Sequence, residues 1–329
     1  MSFLTQLQAL TNKSTAVVNT LPTQHHPFQL SSFLKQSLIL SSIAVSVMAT
    51  NAIADDDRFK GVKITSQKLT DNVYLFTGSG GNIGVSSGED GVLIIDDQFA
   101  PLADKISAQL DAVHQQSPNA GTTSSKPKYV VNTHYHGDHT GGNSHFGHAG
   151  TILAHHNVLK RLSANSDIPK QALPVITYGD SINIRFNNDT LHVIHLGPGH
   201  TDGDSVVHWQ DSNVIHMGDL YFKDRFPYVD LKGGGSVIGY RDNIDTILHT
   251  LADDIKIIPG HGDLATKSEL RAFKHMLDDN INWMQQQLAQ NKSLEEIHAA
   301  GVPQQYKDWG WRFITEKKWI DTLYQDLSK

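Results

Sequence analysis

The segment Asn132-Thr133-His134-Tyr135-His136-Gly137-Asp138-His139-Thr140-Gly141-Gly142-Asn143 crowds three imidazoles and a carboxylate into the few residues from His134 to His139. Imidazole nitrogens and carboxylate oxygens are the donors that zinc and similar divalent ions take, so the segment points to metal ligation. Tyr129-Val130-Val131 predicts a short buried strand, and Thr133 onward the loop leaving its C-terminal end, where open α/β sheets place functional groups. Alternate side chains of an extended segment share a face, so His134 and His136 can close on one ion from the same side. Asp138 and His139 fall on the following turn and point elsewhere. Ligands on two sides suggest a pair of ions sharing a solvent molecule, the arrangement of hydrolytic two-metal sites.

Three later stretches repeat the logic of donors at strand ends. His200 lies in the glycine-proline loop Gly197-Pro198-Gly199-His200-Thr201-Asp202-Gly203-Asp204, where a histidine has little packing reason to be. Asp219 follows Val214-Ile215-His216-Met217-Gly218, and His261 follows Ile255-Lys256-Ile257-Ile258-Pro259-Gly260. Other candidates read more plainly. His155 and His156 sit where the strand Thr151 to Ala154 ends and are solvated or structural. His192, His195, His208 and His216 fall within strands, on half-exposed faces. Asp96 or Asp97 either orients a ligand histidine or its loop, or caps the helix expected from Ala100 to His114. Lys223 is either a receptor for a substrate carboxylate or a solvated surface lysine.

Antiparallel strands are expected between Val62 and Asp97, with Thr77-Gly78-Ser79-Gly80-Gly81-Asn82 as a hairpin turn. Gln115 to Lys128 is a polar surface loop, Asn157 to Ala164 helical, and Ile182–Phe186 pairs with Leu191–Leu196 across Asn187-Asn188-Asp189. A helix is expected from Asp242 to Leu251. From Lys267 onward, Leu270, Phe273, Met276, Leu277, Ile281, Met284 and Leu288 recur at helical steps, with shorter helices from Leu294 to Ala300 and Phe313 to Leu327. Trp283, Trp309, Trp311 and Trp319 either pack these helices or line a cleft.

The chain has 329 residues, no cysteine and a formal net charge of −7. That length suits one or two domains with a sizeable core. The first 54 residues hold Lys13 and Lys35 but no acid. Lys35, an apolar run from Leu38 to Ala49 and the small residues of Ala52-Ile53-Ala54 read as a signal segment cleaved before Asp55, the assigned start lying upstream of the real one. The run is too short and serine-rich to span a bilayer comfortably, so no stable membrane insertion is expected after cleavage. The acidic balance argues against nucleic acid as a partner; a small-molecule substrate is expected, and the signal segment alone places the protein in the periplasm or secreted. The expected organisation is a targeting segment over 1–54, a metal-binding domain over 55–266 and a helical extension over 267–329.

With its motifs in order, the chain resembles the metallo-β-lactamase-fold superfamily: His-x-His-x-Asp-His at His134 to His139, Gly-His-Thr at Gly199 to Thr201, Gly-Asp at Gly218-Asp219 and Gly-His at Gly260-His261. The resemblance implies an α/β fold, an αββα four-layer sandwich with extra C-terminal helices here. It implies two divalent ions, zinc first with iron or manganese as alternatives: one on His134, His136 and His200, the other on Asp138, His139 and His261, with Asp219 bridging. The implied chemistry is attack on a carbonyl by a hydroxide shared between the ions, with Asp138 orienting it. The β-lactamase branches usually lack the bridging aspartate, so Asp219 makes the set more like glyoxalase II and the lactonases.

The leading expectation is an exported hydrolase of an ester, lactone or amide-like bond, β-lactams included. Glyoxalase II-like thioester hydrolysis is the close rival, against which export away from cytoplasmic glutathione counts. A mononuclear iron dioxygenase and a non-catalytic zinc-binding protein are the remaining alternatives; nuclease activity does not suit so acidic a chain.

Overall fold

The computed structural model describes residues 58–117 and 120–329. The expected signal segment and its cleavage before Asp55 lie outside the described residues. Four strands come first, β1 (Thr65–Lys68), β2 (Val73–Thr77), β3 (Ile83–Gly88) and β4 (Gly91–Ile95), then helix α1 (Ala103–Gln116) and strand β5 (Pro127–Asn132). The short helices α2 (Gly137–Thr140) and α3 (Asn143–Phe146) follow, then β6 (Thr151–His155), α4 (His156–Ser163) and β7 (Ile176–Tyr178). The second half comprises β8 (Ser181–Phe186), β9 (Asp189–Ile194), β10 (Val206–Trp209), β11 (Val214–His216), α5 (Val237–Thr250), β12 (Lys256–Ile258), α6 (Lys267–Ala289), α7 (Leu294–Ala300) and α8 (Glu316–Leu327).

The first seven strands form one sheet in sequence order, antiparallel from β1 to β4 and parallel from β4 to β7. The other five form a second sheet in the order β12-β11-β10-β9-β8. Strand β4 shows why the layers stack. Its Val92 and Ile94 pack with Ile106 and Leu110 of α1, while Leu93 and Ile95 join Leu191, Val193, Val207 and Trp209 of the second sheet. A strand covered on both faces must be apolar throughout, which is how Gly91-Val92-Leu93-Ile94-Ile95 reads. The outer face of the second sheet, through Val206, Ile215 and Ile257, packs against α5, α6 and α8. The layers therefore run helix, sheet, sheet, helix: the αββα sandwich the resemblance implied.

The C-terminal helices share that last apolar cluster with α5, with Phe273, Met276 and Trp319 fully buried. Capping boxes fix two starts: Glu269 N–H donates to Thr266 Oγ1 (3.3 Å) while Thr266 N–H donates to Glu269 Oε2 (2.8 Å), and Ser293 with Glu296 repeats it. Two starts differ from expectation. Helix α5 begins at Val237 rather than Asp242, because Ser236 Oγ accepts from Gly239 N–H (3.1 Å) and carries the first turn through a glycine. Helix α8 begins at Glu316 after its cap Thr315, so Trp309 to Ile314 lie outside it. No helix among the described residues is long and apolar enough to cross a membrane.

Candidate metal centre

Every expected ligand stands just past the C-terminal end of a strand: His134 to His139 after β5, His200 after β9, Asp219 after β11 and His261 after β12. The two sheets meet along the rim where these ends emerge, which brings together residues 127 positions apart in the chain. Two donor groups result. His134, His136, His200 and Asp219 form one, and Asp138, His139 and His261 the other. Asp219 touches both. Its Oδ2 faces His200 Nε2 (3.4 Å) and His134 Nε2 (3.8 Å), and its Oδ1 faces His139 Nε2 (3.1 Å) and His261 Nε2 (3.4 Å). Asp138 Oδ2 lies 3.4 Å from His261 Nε2.

The outer nitrogen of each ring decides which lone pair faces inward, because carbonyls and carboxylates only accept. His200 Nδ1–H donates to the Tyr228 carbonyl (2.7 Å), so its Nε2 lone pair faces the centre. His139 Nδ1–H donates to Asp96 Oδ2 (2.7 Å), so Nε2 is the His139 atom that faces the centre. Thr133 Oγ1 spends its own proton on Asp96 Oδ2 (2.7 Å) and therefore accepts from His134 Nδ1–H (3.0 Å). His136 is turned the other way: its Nε2–H donates to Asp230 Oδ2 (3.1 Å), leaving Nδ1 at 2.9 Å from His200 Nε2. Tyr135 O–H donates to the same Asp230 oxygen, and Gly233 N–H to the other (2.8 Å).

Two buried atoms, His134 Nε2 and Asp219 Oδ1, have no hydrogen-bond partner. Orphaned lone pairs in a dry site are costly unless something cationic is meant to sit between them. The electrostatics agree. Burial holds the His134 imidazole well below its usual range, helped by His139, and burial with His136 lowers His200 to about 4, so both rings are neutral donors. Burial also opposes charge on His139 and His261, but Asp219 and its neighbouring carboxylates overcome it, raising His139 well above and His261 to about 9. Burial likewise works against the Asp219 carboxylate, yet the His139 and His261 charges hold it well below the usual range. Acids and bases thus converge on a point of negative potential, which fits divalent-metal binding.

The glycines beside the donors answer to close approach. A Cβ on Gly260 would collide with Asp219 Oδ1 and stand 2.6 Å from the Gly218 carbonyl, and one on Gly81 would fall inside the His139 ring. The Gly78 to Gly81 hairpin turn, expected to be merely a turn, therefore also packs against a donor. At the end of β4, Asp96 adopts a left-handed φ of 63°, a conformation that costs a non-glycine residue energy. It is held there by His139, by Thr133 N–H (2.7 Å) and by Thr133 Oγ1. Of the adjacent pair, Asp96 is thus the orienting carboxylate; Asp97 instead accepts from Gly142 N–H (2.8 Å).

Other readings change. Lys223 is neither solvated nor aimed at the site: its ammonium pairs with Glu269 Oε1 (2.8 Å) and donates to the Leu264 carbonyl (3.0 Å). His216 is fully buried rather than half-exposed, its Nε2–H donating to the Asn82 carbonyl (3.1 Å). The tryptophans divide: Trp319 stacks on Phe226 in the core, and Trp311 lines a cavity of about 870 Å³ whose floor includes His136, Asp138, Asp219 and His261. Asp230 and the Tyr228 carbonyl had no sequence signal of their own.

The family model of the metallo-beta-lactamase superfamily matches residues 76–261, and the chain belongs to that superfamily. Its members are generally metal-dependent hydrolases. Among solved structures, the metallo-beta-lactamase from Pontibacter korlensis superposes with a TM-score of 0.55 at 16% identity, over 66% of this chain and 100% of that one. A second metallo-beta-lactamase gives 0.55 at 18%, over 66% and 98%. These likenesses show the fold. Among curated proteins, an uncharacterized protein of Mycobacterium leprae is 34% identical over 112 residues, 33% of this chain and 49% of its own length. One of Aquifex aeolicus is 28% identical over 165 residues, 46% of this chain and 76% of its own. The chain spans about half the length of the first of these relatives.

Proposed function

We propose that this protein is an exported dinuclear metal-dependent hydrolase acting on an ester, lactone or amide-like bond, β-lactams included. Asp219 carries the reading: one buried carboxylate turns each oxygen toward a different donor group. His134, His136 and His200 would hold one ion and Asp138, His139 and His261 the other, with zinc the first choice for so imidazole-rich a set. Such a pair supplies a water acidified to near neutral pH and an electrophile for the scissile carbonyl.

The chain's own residues do the rest. Asp138 keeps its carboxylate ionised despite burial, chiefly through the His139 charge, and lines the cavity floor, where it can accept a hydrogen bond from the attacking water. Asp96, Thr133, Asp230 and the Tyr228 carbonyl hold the imidazoles in register, so little reorganisation is needed when charge develops. Phe222, stacked on His261 at 5.0 Å, and Tyr228, against His136 at 5.6 Å, each cover one face of an imidazole and brace it. Export rests on the acid-free segment before Asp55; its test is the intact mass of the exported protein, expected to start near Asp55, and a mature form still carrying Lys35 and the apolar run would overturn it.

The test is metal analysis of the purified chain with a panel of β-lactam, lactone, ester, thioester and phosphodiester substrates. Two ions per chain and carbonyl hydrolysis that chelation abolishes and zinc restores are expected. A single iron with dioxygen consumption, or a phosphodiester preference, would overturn the proposal.

A further inference from the structure

The cavity over the metal centre is walled by residues that the ligand motifs do not touch. Phe99, Phe222, Tyr228, Trp311 and Phe313 line it, and two cations, Arg58 and Arg312, face the same space. Its volume of about 870 Å³ exceeds what a scissile bond needs and falls within the range of sites that enclose whole small molecules.

The segment carrying Arg312 is pinned. Phe226 N–H donates to the Trp309 carbonyl (2.9 Å), Trp311 Nε1–H to the Phe226 carbonyl (2.9 Å) and Trp311 N–H to the Ile314 carbonyl (2.9 Å). The Phe313 ring meets Tyr228 edge-on at 5.3 Å, and the Lys318 ammonium stands over the Phe313 ring, 5.2 Å from its centroid, while donating to the Phe313 carbonyl (2.9 Å). Arg312 thus projects from a braced turn between two aromatic rings. No ion pair or hydrogen bond with a described residue engages it, and it is exposed. Arg58 lies over the Phe59 and Phe99 rings at 4.8 and 4.9 Å, and no ion pair or hydrogen bond with another described residue engages its fork. On a chain of net charge −7, two guanidiniums that no described residue pairs, facing one aromatic-walled cavity, are a local reversal of sign. Phe313, 49% exposed, is a large apolar side chain left open to solvent at this same wall.

We infer that the cavity takes a carboxylate-bearing substrate with a flat apolar body, its anion on Arg312 and its hydrolysable carbonyl at the floor. Arginine offers a planar pair of donors matched to a carboxylate, and the rings give a flat body faces to stack on. Arg58 adds a second positive charge to the same cavity. Neutral bodies of the same shape gain the stacking alone. The specificity-determining residue is therefore Arg312, from the segment that the family match at 76–261 does not reach.

This inference rests on the hydrolase reading for its scissile carbonyl, but binding tests it without turnover. Naphthylacetate and naphthylacetamide, equal in shape and different in charge, are titrated into the metal-loaded protein with tryptophan fluorescence as the readout. The carboxylate is expected to bind about tenfold or more tighter, the scale of one charge-assisted bidentate contact, and Arg312→Gln to bring the two within about threefold. Phe313→Ala is expected to weaken both alike. Equal binding of the pair to the wild type, or a carboxylate preference that survives Arg312→Gln, overturns the inference, the latter because Arg58 or the metal floor, and not Arg312, would then hold the anion. Naphthyl esters with and without a remote carboxylate separate the two readings. Turnover of both with equal KM keeps the hydrolase and sinks this inference; an Arg312-dependent binding preference with no turnover of any ester keeps this inference and sinks the hydrolase.

Discussion

Among the described residues two histidine clusters stand at strand ends, and only one has the convergent donors of a metal site. At the rim shared by the two sheets, five imidazoles surround Asp219 with Asp138 beside it, and each outer nitrogen whose partner is seen is committed to an acceptor. At the end of β6, His155 stacks on His195 with centroids 3.9 Å apart and planes 14° apart, and His156 lies 4.0 Å from His155. Stacked rings present parallel lone pairs rather than convergent ones. The nearby carboxylate, Asp202, is spoken for: Arg161 grips both its oxygens at 2.6 Å. Burial, with His195 and His156, lowers His155 to about 4, so the His155 ring rests neutral. Imidazole density alone therefore does not make a metal centre; the rim adds convergent ring nitrogens and carboxylates that no arginine grips.

The sharpest break of that contrast is Asp219→Ala beside His156→Ala. Removing the shared carboxylate is expected to cost hydrolysis on the order of 10³-fold, as several kcal/mol of charge stabilisation is lost, and to lower the metal count; the His156 variant stays within about threefold. The residual Asp219→Ala activity should move to higher pH. Two tightly held ions with an unchanged pH–rate profile would make Asp219 a structural carboxylate.

A smaller effect tests the outer contacts. Asp230→Asn keeps the volume but weakens the acceptor for His136 Nε2–H and Tyr135 O–H, and is expected to reduce metal affinity about 10–100-fold with the fold intact. Competition with a chromogenic chelator reads it. Unchanged affinity would mean that the His136 ring is held by packing on Tyr135 and Tyr228 alone.

The smallest effect separates the clusters by sign. In the metal-stripped protein His261 titrates near 9 against 6.5 for a free imidazole. Its protonation stabilises the fold fully below pH 6.5, and that contribution, at most about 3 kcal/mol, is lost as pH rises through 9. His155, depressed to about 4, does the reverse: its contribution is present above 6.5 and lost as pH falls through 4. Being shared with partly solvated neighbours, it should amount to about 1 kcal/mol or less. Urea midpoints across pH should show the alkaline loss only without metal, and His155→Gln should flatten the acid limb alone. An alkaline loss that persists in the metal-loaded protein would mean that His261 is not a ligand.

The sequence by itself determined the strands, the α6 helix and the order of donors, because these are written in local periodicity and in residue types with no other good reason to be in glycine loops. It also separated His134 and His136 from Asp138 and His139, since an extended stretch followed by a turn changes which way side chains point. Tertiary structure decided what depends on partners far away in the chain. Asp230 holds His136 across 94 residues, Glu269 draws Lys223 away from the site, and Thr315 rather than Phe313 opens the last helix, freeing Trp311, Arg312 and Phe313 to wall the cavity. Spacing cannot reveal these, because a hydrogen bond or an ion pair is fixed by where the sheets and helices bring two chains of atoms together, and that closure is set by the whole core.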